Sequence, residues 1–371
     1  MANNLNSWMS DPSIQKKKLS QIVIPGTHDS GSYGLSNALS TVSYSNIAFL
    51  WQLSNQSAPA NGLWPWTSSG PKEKATYYVG PEMYDYIISV VKQQSQSQDS
   101  SDSIYAQLNN GIRFFDLRLY YDDTTTPNDY YLQHGLRGPL LSTVLNDVYQ
   151  FISEGRQQTP IRRELIFLQI SHTNFGDDTA ARTSGVVKML GNILNQNEEK
   201  NIYPVPVKDN LSTFFTDTSM SDICGSGTKV IILNADTDRY SYNDSLVFEG
   251  SFNATDSPAG VDNVPELWDR ELKALKDAPS NPTSPWGISW VLTPHASDLI
   301  CYVMKTLTVT PVEPLLLEGL ARLANADMAD FIKQLHGKYP FNLITCDWYQ
   351  QPRTTNAPGP VVQIAMTLSG A

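Results

Sequence analysis

With 371 residues the chain can bury a large core, and its length suits either two ordinary domains or one large α/β barrel. Hydrophobic residues make up 40% and charged residues 17%, with no long biased tract, which excludes a disordered chain. A formal net charge of -11 argues against nucleic acid as a partner, because such binders depend on Lys and Arg to neutralise phosphates, and against electrostatic adhesion to anionic lipid. Any meeting with a membrane is therefore expected to go through apolar and aromatic side chains.

From about residue 20 onward, short β-rich runs alternate with helical patterns. Candidate strands in chain order are residues 21–25, 112–120, 130–134, 165–171, 229–233, 246–252, 287–292 and 342–347. Leu141, Val144, Leu145, Val148, Phe151 and Ile152 recur at helical spacing behind a start signal at Ser142 and Thr143. Met328, Phe331, Ile332 and Leu335 repeat the pattern, and Gly337 is placed to end that helix. Alternation on this scale predicts βα units and a parallel sheet. Neither a G-x-G-x-x-G run nor a P-loop follows an early strand, so a barrel is the better expectation than an open doubly wound sheet.

The expected architecture is thus α/β, a distorted TIM-type barrel forming a single domain over 1–371, with an insertion at 35–107 after the first strand. That insertion carries Phe49-Leu50-Trp51, Gly62-Leu63-Trp64-Pro65-Trp66 and a polar run at 93–103. Trp51, Leu63, Trp64 and Trp66 suit either lipid insertion or packing onto the barrel, and packing is the favoured expectation. The longest apolar runs, 165–168 and 230–233, are too short to span a bilayer. Residues 1–20 show no export signal, so the protein either lacks one or the sequence begins after it; the compartment stays open. Cys224, Cys301 and Cys346 are far apart without C-x-x-C spacing, which disfavours a zinc site or a disulfide framework. A monomer is expected.

The chemistry concentrates in three places. Ile24-Pro25-Gly26-Thr27-His28-Asp29-Ser30-Gly31 ends a strand at a histidine. In Phe114-Phe115-Asp116-Leu117-Arg118, side chains two apart share a face, so Asp116 and Arg118 point together. Gln133-His134-Gly135 ends another strand at a second histidine. A lone histidine at a strand end is more often structural than catalytic, but two imidazoles flanking an arginine suit phosphoryl transfer. One takes the proton of an attacking hydroxyl, the other protonates the leaving oxygen, and the guanidinium stabilises the phosphorane. His295 and His336 read as structural or solvated.

Trp8-Met9, the 24–31 motif, the run 111–118 and Gln133-His134-Gly135 resemble the X-domain of the phosphatidylinositol-specific phospholipases C in its bacterial form. The likeness is detailed from residue 8 to about 171 and returns faintly at 290–294 and 342–348. It implies a distorted (β/α)8 barrel that cleaves phosphatidylinositol to diacylglycerol and a cyclic inositol phosphate. Carried over, His28 is the general base on the inositol 2-hydroxyl, His134 the general acid assisted by Asp29, and Arg118 the phosphate ligand with Asp116 in the same cluster. Asp347 corresponds to the carboxylate that orients the base. Calcium-dependent relatives carry a carboxylate where Arg118 stands, so a metal-independent enzyme without a cofactor is expected. The resemblance also implies a basic residue after the strand that ends at Ser171, where this chain has His172. It implies an arginine near 234–238 as well, for which Arg239 is the shifted candidate. Alternatives are a phosphodiesterase with a different headgroup, including a metal-dependent glycerophosphodiester enzyme, and a non-catalytic inositol-lipid-binding barrel. A two-histidine ribonuclease conflicts with the acidic balance.

Overall fold

The computed structural model describes residues 4–38, 40, 88–89, 91–122, 129–176, 179–206, 210–254, 261–279, 282–293, 317–352 and 358–371. The strands are β1 (Ile24–Thr27), β2 (Phe114–Tyr120), β3 (Tyr131–His134), β4 (Leu136–Leu140), β5 (Leu165–Asn174), β6 (Lys229–Asn234), β7 (Val247–Glu249), β8 (Asn253–Ala254), β9 (Trp286–Trp290) and β10 (Leu343–Cys346). The longer helices are α1 (Leu141–Arg156), α2 (Thr179–Leu194), α3 (Val264–Lys276), α4 (Leu317–Leu335) and α5 (Pro360–Ser369). Parallel ladders run in the order β7-β6-β5-β2-β1-β10-β9-β8, with α1 between β4 and β5, α2 between β5 and β6, α3 between β8 and β9, α4 between β9 and β10 and α5 after β10, giving a distorted (β/α)8 barrel. Among the described residues no ladder joins β7 to β8.

That discontinuity accounts for one difference from the sequence reading. The run 246–252 splits, because Gly250 at φ 154 breaks the strand before Asn253. Phe252 fills the space, meeting Phe114, Phe167 and Phe215 edge-on at centroid distances of 5.6, 5.7 and 5.3 Å.

The run 130–134 also differs in kind. It is not a barrel strand: β3 lies antiparallel on β2 (Leu119 opposite Leu132) and turns through Gly135, at φ 72, into β4, which the sequence reading did not anticipate. Pattern alone cannot separate a barrel strand from a hairpin arm. The hairpin packs onto the β1 exit where Gly31 offers no side chain; a Cβ there would lie 2.2 Å from Leu132 Cδ1. Close approach at this glycine is what brings a hairpin residue, His134, to His28 at the exit of a barrel strand.

Helix α1 buries Leu141, Val144, Leu145, Val148, Phe151 and Ile152, as the spacing predicts. Its N-terminus is not capped by Ser142 or Thr143; the carboxylate of Asp129 accepts from the Ser142 amide at 3.3 Å and from its hydroxyl. Helix α4 buries Met328, Phe331, Ile332 and Leu335, and Gly337 follows at φ 76. No helix among the described residues is long and apolar enough to cross a membrane. Cys224 and Cys346 are free and buried, while Cys301, His295, Trp51, Leu63, Trp64 and Trp66 lie outside the described residues.

Candidate active site

The C-terminal ends of β1, β2 and β10, together with the tip of β3, converge on one polar cluster. His28 and Asp29 follow β1 directly, Arg118 and Asp116 sit inside β2, Asp347 follows β10, and His134 ends β3. Asp29, His172 and Trp348, just beyond β1, at the end of β5 and beyond β10, hold φ values of 44, 47 and 43. Non-glycine residues in this region are uncommon and concentrate where surrounding contacts over-determine the backbone. Those contacts are visible here. Ser30 Oγ accepts from the Asp116 amide at 2.8 Å, and the Ser30 amide donates to the Asp116 carbonyl at 2.9 Å, stitching the β1 exit to β2.

The two imidazoles stand at 6.3 Å between centroids and nearly perpendicular, in unlike surroundings. His28 Nδ1 lies 3.0 Å from Asp347 Oδ1, and its Nε2 lies 2.6 Å from Arg118 Nη2. One side thus faces an acceptor and the other a donor, which the neutral ring protonated on Nδ1 satisfies. His134 Nε2 lies 3.0 Å from Asp29 Oδ2, and its Nδ1 lies 2.6 Å from the Ser95 carbonyl. Both sides face acceptors, which the doubly protonated ring satisfies.

Arg118 links the set. Its Nε contacts Asp29 Oδ1 and lies 3.3 Å from Asp116 Oδ2, and the side chain is 8% exposed. Burial disfavours charge on Asp29, but Arg118, with His134 and His28, outweighs it and holds this carboxyl well below the usual carboxylate range. Asp116 is lowered for a similar reason: burial opposes its charge and Arg118 favours it. Burial likewise opposes charge on His28, yet Asp29 and Asp347 prevail over burial and Arg118 and raise its pKa to about 9. A proton on Nε2 would collide with the Arg118 donor 2.6 Å away, so protonation of His28 and the Arg118 contact exclude each other. With Arg118 in this position the neutral ring is the one that fits, and the two carboxylates raise the pH at which that form prevails. Burial pushes the Asp347 carboxyl up, against the opposing effect of His28.

A cavity of about 490 Å³ opens beside this cluster, lined by His28, Asp116 and Arg118, by Ser171 and His172 of β5, and by Asp236, with Phe114 and Phe252 among its apolar walls. Asp29, His134 and Asp347 are outside that lining. Arg239 does not reach it either. Its backbone turns back onto the Asp236 carbonyl at 2.9 Å and the residue is exposed, so Asp236 occupies the wall for which Arg239 was the sequence candidate.

The polar run at 93–103 supplies contacts that sequence reasoning did not assign. The Ser95 carbonyl meets His134, Gln98 Nε2 donates to the His28 carbonyl at 2.9 Å, and the Trp348 amide donates to the Ser97 carbonyl at 2.7 Å. Polarity and length marked this segment, but backbone carbonyls leave no residue-type signature.

Among the described residues, His28, Asp29 and Asp116 also offer metal-ligand atoms within 4.8 Å of one another. The Arg118 guanidinium contacts both carboxylates and the imidazole of this trio, so a positive charge already sits where a cation would be held.

No family model matches the chain. A PI-PLC X-box domain-containing protein of Dictyostelium discoideum is 24% identical over 195 residues, which are 52% of this chain and only 20% of that protein. A phosphatidylinositol-specific phospholipase C from Staphylococcus aureus superposes with a TM-score of 0.55 at 16% identity, covering 99% of this chain and 98% of its own. The phosphatidylinositol-specific phospholipase C of Listeria monocytogenes gives 0.51 at 17% identity, covering 98% of each. At such identities the structural likeness establishes the fold. The chain is thus similar in sequence to an X-box domain protein and shares its fold with the bacterial phosphatidylinositol-specific phospholipases C.

Proposed function

We propose that this chain is a metal-independent phospholipase C that cleaves phosphatidylinositol-type lipids by attack of the headgroup's own 2-hydroxyl. The observation that carries the reading is the contrast between the two imidazoles: His28 between a carboxylate and a guanidinium, His134 between a carboxylate and a carbonyl. One ring is set to accept a proton and the other to give one. In this mechanism the substrate phosphate takes over Arg118 Nη2, which frees the His28 Nε2 lone pair. His28 then removes the 2-hydroxyl proton, the oxygen attacks phosphorus, and the bond from phosphorus to the glycerol oxygen breaks as His134 protonates it. The products are diacylglycerol and a cyclic inositol phosphate. Arg118, held by Asp29 and Asp116, stabilises charge on the equatorial oxygens without a metal ion.

His172 and Asp236 stand in the cavity wall where the resemblance implies basic residues, which favours a second reading: the same reaction on a different polyol headgroup. The test is an assay on phosphatidylinositol, on glycosylated inositol lipids and on other phospholipids, with and without a chelator, with the product identified. A cyclic phosphate formed equally well in chelator is the expected result. Loss of activity in chelator would overturn the role of Arg118, and a non-cyclic product would overturn intramolecular attack.

The pH profile provides a further check. Because His28 must be neutral to act as base, kcat/KM is expected to rise with pH through a limb lying above the ordinary histidine value of about 6.5. In Asp347→Asn one of the two carboxylates that raise His28 is gone, so the limb moves to lower pH while the plateau rate falls. A limb unmoved in that variant would exclude His28 as the titrating base.

A further inference from the structure

His134 owes one of its two contacts to backbone rather than to a side chain: Nδ1 lies 2.6 Å from the Ser95 carbonyl, while Nε2 faces Asp29. We infer that Trp348, which grips the backbone next to Ser95, is a positioning residue for His134 as a proton donor, fixing the ring so that the hydrogen it gives up is the one on Nε2. The inference rests on the reading of His134 as the general acid and adds the residue that aims it.

A backbone carbonyl can hold a ring hydrogen but does not take it, because an amide oxygen is a far weaker base than imidazole. Nδ1 therefore keeps its hydrogen, and the nitrogen able to lose one is Nε2, 3.0 Å from Asp29 Oδ2. Which nitrogen works as the acid thus depends on where the Ser95 carbonyl sits. Ser95 closes the helical run 91–95, and a carbonyl at a helix end has no partner further along its own helix, so it turns to another element.

Just beyond Ser95 the chain is held from several sides. The Trp348 indole donates to the Gln96 carbonyl at 2.8 Å, one peptide unit from the carbonyl that meets His134, and the Trp348 amide donates to the Ser97 carbonyl at 2.7 Å. From the β1 side the Ser97 amide donates to Ser32 Oγ at 2.9 Å, and Gln98 Nε2 donates to the His28 carbonyl at 2.9 Å. Ser95, Ser97 and Gln98 are all buried. Trp348 itself sits at φ 43 and is fixed by Asn325 of α4, whose Nδ2 donates to the carbonyls of Asp347 and Trp348 at 3.1 and 3.2 Å. Asp347 meets His28 and the next residue governs the contact made by His134, so both imidazoles are aligned from the exit of β10.

The test is Trp348→Phe, which keeps an aromatic ring and the backbone amide but removes the indole donor. On phosphatidylinositol, whose glycerol oxygen must be protonated as it leaves, kcat is expected to fall roughly 5- to 30-fold with KM within about twofold. On the nitrophenyl ester of inositol phosphate, whose leaving group departs as a stable anion, kcat should stay within about threefold, because the base is untouched. Ser32→Ala loosens the same segment from the β1 side and is expected to show the same selectivity at smaller size, which keeps the test open should Trp348→Phe fold poorly. In long-range ¹⁵N–¹H spectra the ring whose signals vanish in His134→Ala should carry hydrogen on both nitrogens, that on Nδ1 exchanging slowly in the native protein and faster in Trp348→Phe. Equal losses on the two substrates, native kinetics in both variants, or unchanged exchange at Nδ1 would overturn the assignment. The reaction is judged separately: if the native protein turns over neither substrate while the exchange behaves as described, the grip of Trp348 on His134 stands and the reading of the site as a phospholipase C fails.

Discussion

Replacing His28 with alanine is expected to lower kcat by about 10²–10⁴-fold, and His134→Ala by a similar factor, with the double variant little worse than either alone. The losses fall on one concerted pair of proton transfers, which is why they should not add. Neither change is expected to unfold the barrel. His28→Ala leaves Asp347 without its imidazole, but burial already pushes that carboxyl toward its neutral form, so it takes up a proton rather than remain an unpaired charge. His134→Ala leaves Asp29 in contact with Arg118. Steady-state assays on dispersed phosphatidylinositol, with circular dichroism to confirm the fold, check both. Near-native turnover in either variant would remove that histidine from the chemistry.

The elements that carry this pair were readable to different degrees. A strand that stops at His28 and a shared face for Asp116 and Arg118 follow from period-two alternation, and the structure brings all three together. His134 was found as a strand-end histidine, yet the reason it reaches His28 was not: a hairpin turning at Gly135 and docking against Gly31 is a tertiary event. His172 stands where the resemblance implies a basic residue, whereas its contact through the Ser171 hydroxyl to the Asp116 carboxylate of another strand is tertiary. Arg239 shows the opposite limit. A plausible residue type five positions beyond a strand end can be turned outward by its own loop, and here a network on Glu249 gathers that loop, accepting from Asn234 Nδ2 at 2.6 Å and from the Tyr242 amide at 2.6 Å.

The largest effect on stability is expected far from these histidines, at Glu164→Ala, which should cost about 3–5 kcal/mol. Nothing in the run Arg162-Arg163-Glu164 separates its glutamate from a solvated charge before a strand, but Glu164 is 0% exposed and so is Arg113. Arg113 Nη2 and Nε lie 2.6 and 2.8 Å from Glu164 Oε2, and the guanidinium also donates to the carbonyls of Leu108, Ile112 and Leu5 at 2.8, 2.7 and 3.2 Å. Glu164 in turn accepts from Ser10 Oγ at 2.7 Å and from the Met9 amide at 3.3 Å. The pair therefore ties the N-terminal segment to the start of β2 and β5, beside Trp8, whose indole donates to the Gly111 carbonyl at 3.1 Å. Removing the carboxylate strands a fully buried guanidinium, and a loss of this size is a large share of the roughly 5–15 kcal/mol that holds a typical domain. In urea the midpoint should fall sharply with the slope unchanged. Glu164→Gln, which keeps the acceptor oxygen but not the charge, should fall between wild type and Glu164→Ala. The paired change of Arg113→Met with Glu164→Leu should recover only part of the loss, because it removes the stranded charge but leaves three carbonyls without their donors. A Glu164→Ala midpoint within about 1 kcal/mol of wild type would mean that this buried pair is no more than neutral to folding.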